Sequence, residues 1–170
     1  PIDAFSDRIN YLNYAENSWA IFEQYLAISP LLVLANEPLW LLINTWLSML
    51  FPPEVTLRII IFVPALVVAW YVLSQSKKQF VWLLIFLLMA PVIKNHTTHI
   101  RQGLAIAILL VAWFTNKPLL KWLMFAAAPL VHSSFFFILL LLVVRYVVVQ
   151  LRFTTNLRIF MFIATGIVVG

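Results

Sequence analysis

The sequence predicts an all-α fold: a polytopic bundle of transmembrane helices, some short or broken, with an acidic, outward-facing N-terminal loop. Two observations carry this. Hydrophobic residues make up 64% of the chain and charged residues 10%, whereas a soluble domain is about a quarter charged; so few charges cannot cover a water-facing surface. The apolar residues also fall in continuous runs, without the long apolar–polar alternation that a membrane β-barrel strand requires.

Residues 1–18 are rich in Asp, Asn and Tyr and are expected to form a loop with short helical turns. Residues 19–35 are half apolar, contain Pro30, and suit the membrane interface. Apolar runs follow at 38–51, 57–73, 80–93, 103–114, 119–131, 134–149 and 157–170, separated by short polar or proline-containing breaks. A full crossing takes about 20 residues at 1.5 Å each. Runs of thirteen to sixteen residues must therefore extend into their polar flanks or stop below the membrane surface. Residues 119–149 are too long for one crossing and short for two, which predicts a hairpin with a sunken turn at His132-Ser133-Ser134. Backbone at that depth is tolerated only where it lines a watery cavity or is buried in protein. The whole is expected to be one membrane-embedded domain over 1–170, with 1–36 as polar and interfacial loop and 37–170 as transmembrane helices. Because it begins at Pro1 and ends inside an apolar run, it is expected to be a fragment.

Charge is distributed unevenly. All six carboxylates (Asp3, Asp7, Glu16, Glu23, Glu37, Glu54) lie in the first 54 residues beside a single base, Arg8, a net charge of −5. The remaining ten Lys and Arg, and no acid, occupy residues 55–170. Lys77-Lys78, Lys117 with Lys121, and Arg152 with Arg158 fall in alternate loops, which the positive-inside rule assigns to the cytoplasm. The turns at 94–102 and 132–134 then share the outer face with the acidic segment, provided that 38–51 is re-entrant or interfacial. In a membrane protein the basic excess reads as this bias and not as a nucleic-acid surface. With no cysteine, thiolate metal sites, thiol nucleophiles and disulfides drop out. HExxH, GxSxG and Walker-type loops are absent, against the common membrane protease, hydrolase and ATPase chemistries.

Arg101 stands directly before an apolar helix in the segment Lys94 to Gly103. Its planar fork suits phosphate, and a helix N-terminus adds free N–H groups. Arg101 with Lys94 is thus a candidate anion site; the plain alternative is an arginine snorkelling to the interface. His132, between apolar stretches, needs polar partners. It is either a structural histidine bonded to backbone or to Ser133, or a proton acceptor in a cavity. His96 and His99 have chelating spacing but no completing ligand, so a solvated pair is expected and no metal site. Glu37-Pro38 reads as a helix start, with the acid near the positive dipole end. Any carboxylate base must come from residues 1–54, where Asp3, Asp7, Glu16, Glu37 and Glu54 are the main choices and Glu37 borders an apolar run.

These residues also fall into a pattern. Asp7-Arg8-Ile9-Asn10-Tyr11 resembles the outer D-x-x-x-Y segment of the EpsG/Wzy-type bacterial exopolysaccharide and O-antigen polymerases. Glu37-Pro38-Leu39 resembles their E-P-G helix start, Ile100-Arg101-Gln102-Gly103-Leu104-Ala105 their I-R-Q-G-L-A segment, and Val131-His132-Ser133-Ser134 their I-H-x-S turn. Leu39 replaces the usual Gly, and the Gly-Thr that often precedes the Asp is missing. The resemblance implies a metal-independent, cofactor-free glycosyltransferase of the bacterial cytoplasmic membrane. It would polymerise polyprenyl-pyrophosphate-linked oligosaccharide repeats on the outer side, from a lipid-linked donor and acceptor, with a chain-length regulator protein as a further candidate partner. Arg101, His132, Asp7 and Glu37 would then be catalytic, and Lys94, Gln102, Tyr11 and Ser133 would bind substrate. The main rival is a flippase or other transporter of lipid-linked oligosaccharide, which would use the same cationic cavity without forming a bond.

Overall fold

In the computed structural model, residues 6–74, 77–151 and 153–169 are described. Among them the chain is all-helical: α1 (Ser6–Ile28), α2 (Pro30–Ala35), α3 (Pro38–Leu50), α4 (Pro53–Leu73), α5 (Lys77–Leu87), α6 (Ala90–Thr97), α7 (Ile100–Phe114), α8 (Pro118–Val131), α9 (Phe135–Gln150) and α10 (Thr155–Val169). They form two units, Pro1–Ser133 and Ser134–Gly170. In the second, α9 packs on α10. Asp3 and Arg152 lie outside the described residues.

Proline sets most of the boundaries in the first unit. Pro30, Pro38, Pro53 and Pro118 each open a helix at its first position, where the missing N–H has no intrahelical partner to lose. Inside the apolar run 80–93, a proline at 91 cannot donate to the carbonyl of Leu87. Helix α5 accordingly ends at Leu87, and α6 carries the chain on to Thr97. This corrects the expectation of one helix followed by a loop over 94–102: Lys94 is on a helix, and only Thr98 and His99 separate α6 from α7.

The larger correction is at the N-terminus. Residues 6–28, expected as a loop with short turns and an interfacial stretch, form one continuous helix of 23 residues. The segment holds no Pro or Gly. Tyr11, Ala15 and Ser18 are buried, with Phe22 and Tyr25 next at the same helical spacing, so one face of a polar helix packs against α3 and α4. Polar bonds reinforce the contact: the hydroxyls of Ser18 and Thr45 are 2.9 Å apart, and Ser48 donates to the Ala15 carbonyl at 2.5 Å. Such interhelical bonds are each worth about 0.6 kcal/mol in a membrane bundle.

Helix α4, at 21 residues, is the one described helix long and apolar enough to cross a membrane, about 32 Å at the usual rise. It buries Leu57, Ile60, Pro64, Val68 and Val72 on one stripe and exposes Phe62, Val63, Leu66, Trp70 and Leu73 on the other. A core helix of a soluble protein would be covered all round. The shorter apolar helices α3, α7, α8, α9 and α10 likewise expose large hydrophobic side chains. Helix α7 packs on α4 and α8 and buries Gly103, Ala105, Ala107 and Ala112, small residues of the kind that let helix backbones approach closely.

Candidate functional site

Three helix ends converge on one carboxylate. Glu37 lies at the junction of α2 and α3, Arg101 in the first turn of α7, and His132 caps the C-terminus of α8. Arg101 donates from one terminal nitrogen to Glu37 Oε2 at 2.5 Å. His132 Nδ1 is 2.6 Å from Oε1, and the backbone N–H of Ser133 donates to the same oxygen at 3.1 Å. The Ser133 hydroxyl, at 3.5 Å, is too far to add much. Although Glu37 precedes α3, its side chain makes no capping bond to that helix; it is committed to the cluster instead.

The backbone shows the same commitment. Glu37 has φ 56° and ψ 58°, the positive φ among described non-glycine residues, and it precedes a proline, which favours extended backbone in the residue before it. Holding a glutamate in the left-handed region costs about 1–3 kcal/mol, and such strain persists where surrounding contacts over-determine it. Here those contacts are the bonds to Arg101, His132 and Ser133.

The charge state follows from the same neighbours. Burial opposes ionisation of Glu37, whose side chain is 9% exposed. The hydrogen bonds from His132 and Ser133 and the charge of Arg101 outweigh that penalty and hold its carboxyl below the ordinary value. An ionised carboxylate only accepts hydrogen bonds, so Nδ1 of His132 carries the hydrogen. In the neutral ring, Nε2 then carries the lone pair. This is how a carboxylate fixes the tautomer of a basic histidine.

Arg101 is held from a second direction. Its guanidinium carbon lies 5.9 Å from the Tyr11 ring centroid and 5.7 Å from that of Tyr14, within cation–π range. Both rings meet Trp40 edge-on, at 5.7 and 6.3 Å, and Trp40 is 1% exposed. The aromatic base thus ties α1 to α3 beneath the cation. Trp40 Nε1 and Asn44 Oδ1 are buried without a hydrogen-bond partner among the described residues.

Two clefts open at Arg101. The smaller, about 170 Å³, is lined by Glu37, Trp40, Tyr14, Tyr25 and Ser133 with Arg101. The larger, about 540 Å³, runs along α1 and is closed by His99 and Arg101. Of the candidates read from the sequence, Arg101, His132, Glu37, Ser133 and Tyr11 come together. Lys94 is exposed on α6 and Gln102 half-buried on α7; neither lines these clefts. Asp7 falls in the first turn of α1, and its side chain, like that of His96, lies outside the described residues. Among the described residues no group of three or more His, Asp or Glu is placed to hold a metal ion. Tyr14, Trp40 and Tyr25 were not singled out as site residues from the sequence; helical spacing from Tyr11 marks Tyr14 and Tyr25 once α1 is read as a helix, whereas Trp40 lies on α3 and no local spacing links it to Tyr11.

A strongly apolar chain, all-helical among the described residues, with an Arg–Glu–His cluster at its helix ends defines the class: a membrane protein with a polar, ionised site. The chain belongs to the EpsG family, whose description matches residues 2–170. Comparison with curated proteins and with solved structures returns no match. The family suggests a polysaccharide-polymerase or glycosyltransferase-like role, and together with the apolar helices it points to a membrane location.

Proposed function

We propose that this protein is a glycosyltransferase that polymerises polyprenyl-pyrophosphate-linked oligosaccharide repeats, working from the outer face of the bacterial cytoplasmic membrane. The observation that carries the proposal is the single carboxylate of Glu37 joining Arg101 to His132. Helices α3, α4, α7 and α8 of the first unit would be membrane helices, as would α9 and α10 of the second, and the short lengths of α3, α7 and α8 would leave the cluster at the base of a polar opening. A donor repeat, an acceptor repeat and a chain-length regulator protein would be its partners.

In this reading the acceptor hydroxyl attacks the anomeric carbon of the donor. Its oxygen forms the new glycosidic bond, and its proton passes to Nε2 of His132. The bond between the anomeric carbon and the pyrophosphate oxygen breaks, and the polyprenyl pyrophosphate leaves with the electron pair. Arg101, which presents five N–H donors, neutralises the charge developing on that leaving group. No metal is needed for that step if Arg101 supplies the positive charge. Glu37 is then not the base, as one reading of the sequence had it. Its oxygens already accept bonds from Arg101, His132 and Ser133, so its role is to orient His132 and stabilise the imidazolium formed there, the role of the carboxylate in hydrolytic triads. Asp7 remains a candidate from the sequence pattern alone.

The test is elongation of lipid-linked repeats by the purified chain in detergent. Products longer than one repeat, lost in Arg101→Ala and only partly restored in Arg101→Lys, are expected. A well-folded Arg101→Ala protein that builds normal chains would overturn the assignment. A wild-type protein that moves lipid-linked repeats across vesicles without lengthening them would favour the transporter.

A further inference from the structure

We infer that the α1 face of the larger cleft is a binding site for the uncharged sugar rings of the lipid-linked oligosaccharide, extending from the pyrophosphate at Arg101. The inference rests on the polymerase reading for what Arg101 holds, and adds where the saccharide lies and what chemistry recognises it.

The lining argues for a neutral, hydroxylated ligand. Helix α1 contributes the carboxamides of Asn10, Asn13 and Gln24. The phenol rings of Tyr14 and Tyr25 lie on the same side. A carboxamide offers both donors and an acceptor, matching sugar hydroxyls, which also do both; the rings offer apolar faces to the C–H faces of a pyranose. Among the described residues that line the cleft there is no carboxylate. Among the described lining residues the permanent cation is Arg101, with His99 as its neighbour. An apolar lipid tail would strand the carboxamides without partners, at a cost.

The dimensions agree. The cleft measures about 540 Å³, within the usual range of ligand sites. Asn10 and Gln24 are separated by about 21 Å of helix at 1.5 Å per residue, long enough for an oligosaccharide and longer than a single ring. Tyr14, Tyr25 and Arg101 line both clefts, so a sugar chain in the larger one would start beside the reacting cluster. This gives the polar helix α1 a task that its packing on α3 does not explain: Asn10 and Gln24 are exposed, and Asn13, also exposed, bonds only within the helix, accepting from Asn17 among the described residues.

The experiment measures binding to the full chain in detergent. The probes are farnesyl pyrophosphate and farnesyl pyrophosphate glycosides carrying one or two neutral hexoses. In the wild type the glycosides should bind about tenfold more tightly than the bare pyrophosphate, the scale of two added hydrogen bonds. In Asn10→Ala/Gln24→Ala the ratio of glycoside to bare-probe affinity should fall toward one. A wild-type ratio near one for every glycoside overturns the saccharide site while leaving the pyrophosphate site standing, and this comparison needs no variant. A ratio that the double substitution leaves intact also overturns it. Failure of the bare probe to bind, or binding indifferent to Arg101→Ala, would instead defeat the polymerase reading on which the inference rests.

Discussion

Replacing Glu37 by Gln keeps the shape of the side chain and removes its charge. One oxygen remains where two were used. If it stays with His132 and Ser133, the new amide N–H₂ faces the Arg101 guanidinium, donor against donor. If the amide flips, Arg101 keeps an acceptor and His132 Nδ1 loses its own. The side chain of Glu37 is 9% exposed and that of Arg101 33%, so the two bonds do not count equally. Loss of the sheltered bond to the charged carboxylate costs about 1.5–3 kcal/mol. The arm to the more exposed arginine is screened and adds about 1 kcal/mol or less. A total of about 2–4 kcal/mol, expressed in the transition state, slows elongation roughly 30- to 1,000-fold. The assay is the rate at which purified protein extends lipid-linked repeats, with a melting curve in the same detergent to separate lost turnover from lost folding. Glu37→Asp, about 1.5 Å shorter by one methylene, keeps the charge but cannot span both partners, and should fall between wild type and Gln. A folded Glu37→Gln protein with wild-type turnover would refute the reasoning.

Other outcomes follow from the same geometry. The Glu37 carboxyl is held below its ordinary value of 4.5, so on acidification the unfolded chain takes up this proton before the folded one. Its contribution to stability should be complete above pH 4.5 and lost as pH falls through the lowered folded value, a slope missing in Glu37→Gln melts. Because Glu37 sits at φ 56°, Glu37→Gly should melt as the more stable of the Gly and Ala variants, by about 1–2 kcal/mol; equal melts would deny the strain. Trp40→Ala should cost about 3–5 kcal/mol. Trp40→Phe, which keeps an aromatic ring against Tyr11 and Tyr14 and removes an N–H that has no partner among the described residues, should cost far less. Ala105→Leu, at a fully buried position on α7, should overpack its contact with neighbouring helices by about 1–3 kcal/mol, visible as a lower melting temperature.

Local signals in the sequence located most helix starts, because proline acts on its own neighbours: the expected break at Pro52-Pro53 and the start at Pro38 are where α4 and α3 begin. They also marked Arg101 and His132, since a cation and an imidazole in apolar surroundings need partners. The identity of the partner was not legible. Glu37 is 64 residues from Arg101 and 95 from His132, and no local pattern encodes contacts at that separation. Read locally, Glu37 was a helix-start acid or a base; the structure uses it as the link. Helix α1 was missed because its Asp, Asn and Tyr content resembles loop composition, while the decisive feature is the spacing of Tyr11, Ala15 and Ser18 against a surface on α3. Lys94 was grouped with Arg101 by nearness in sequence, yet the break at Thr98-His99 puts it on a separate helix.

A double-mutant cycle on elongation rate, comparing Glu37→Gln, His132→Gln and the two combined, asks most directly whether the carboxylate acts through the imidazole. If Glu37 works by orienting His132, the combined variant should be no slower than the slower single one within a few-fold, because residues that function as a unit are not additive. Penalties that multiply would mean that the two groups act independently and that their 2.6 Å contact is not the working part of the site.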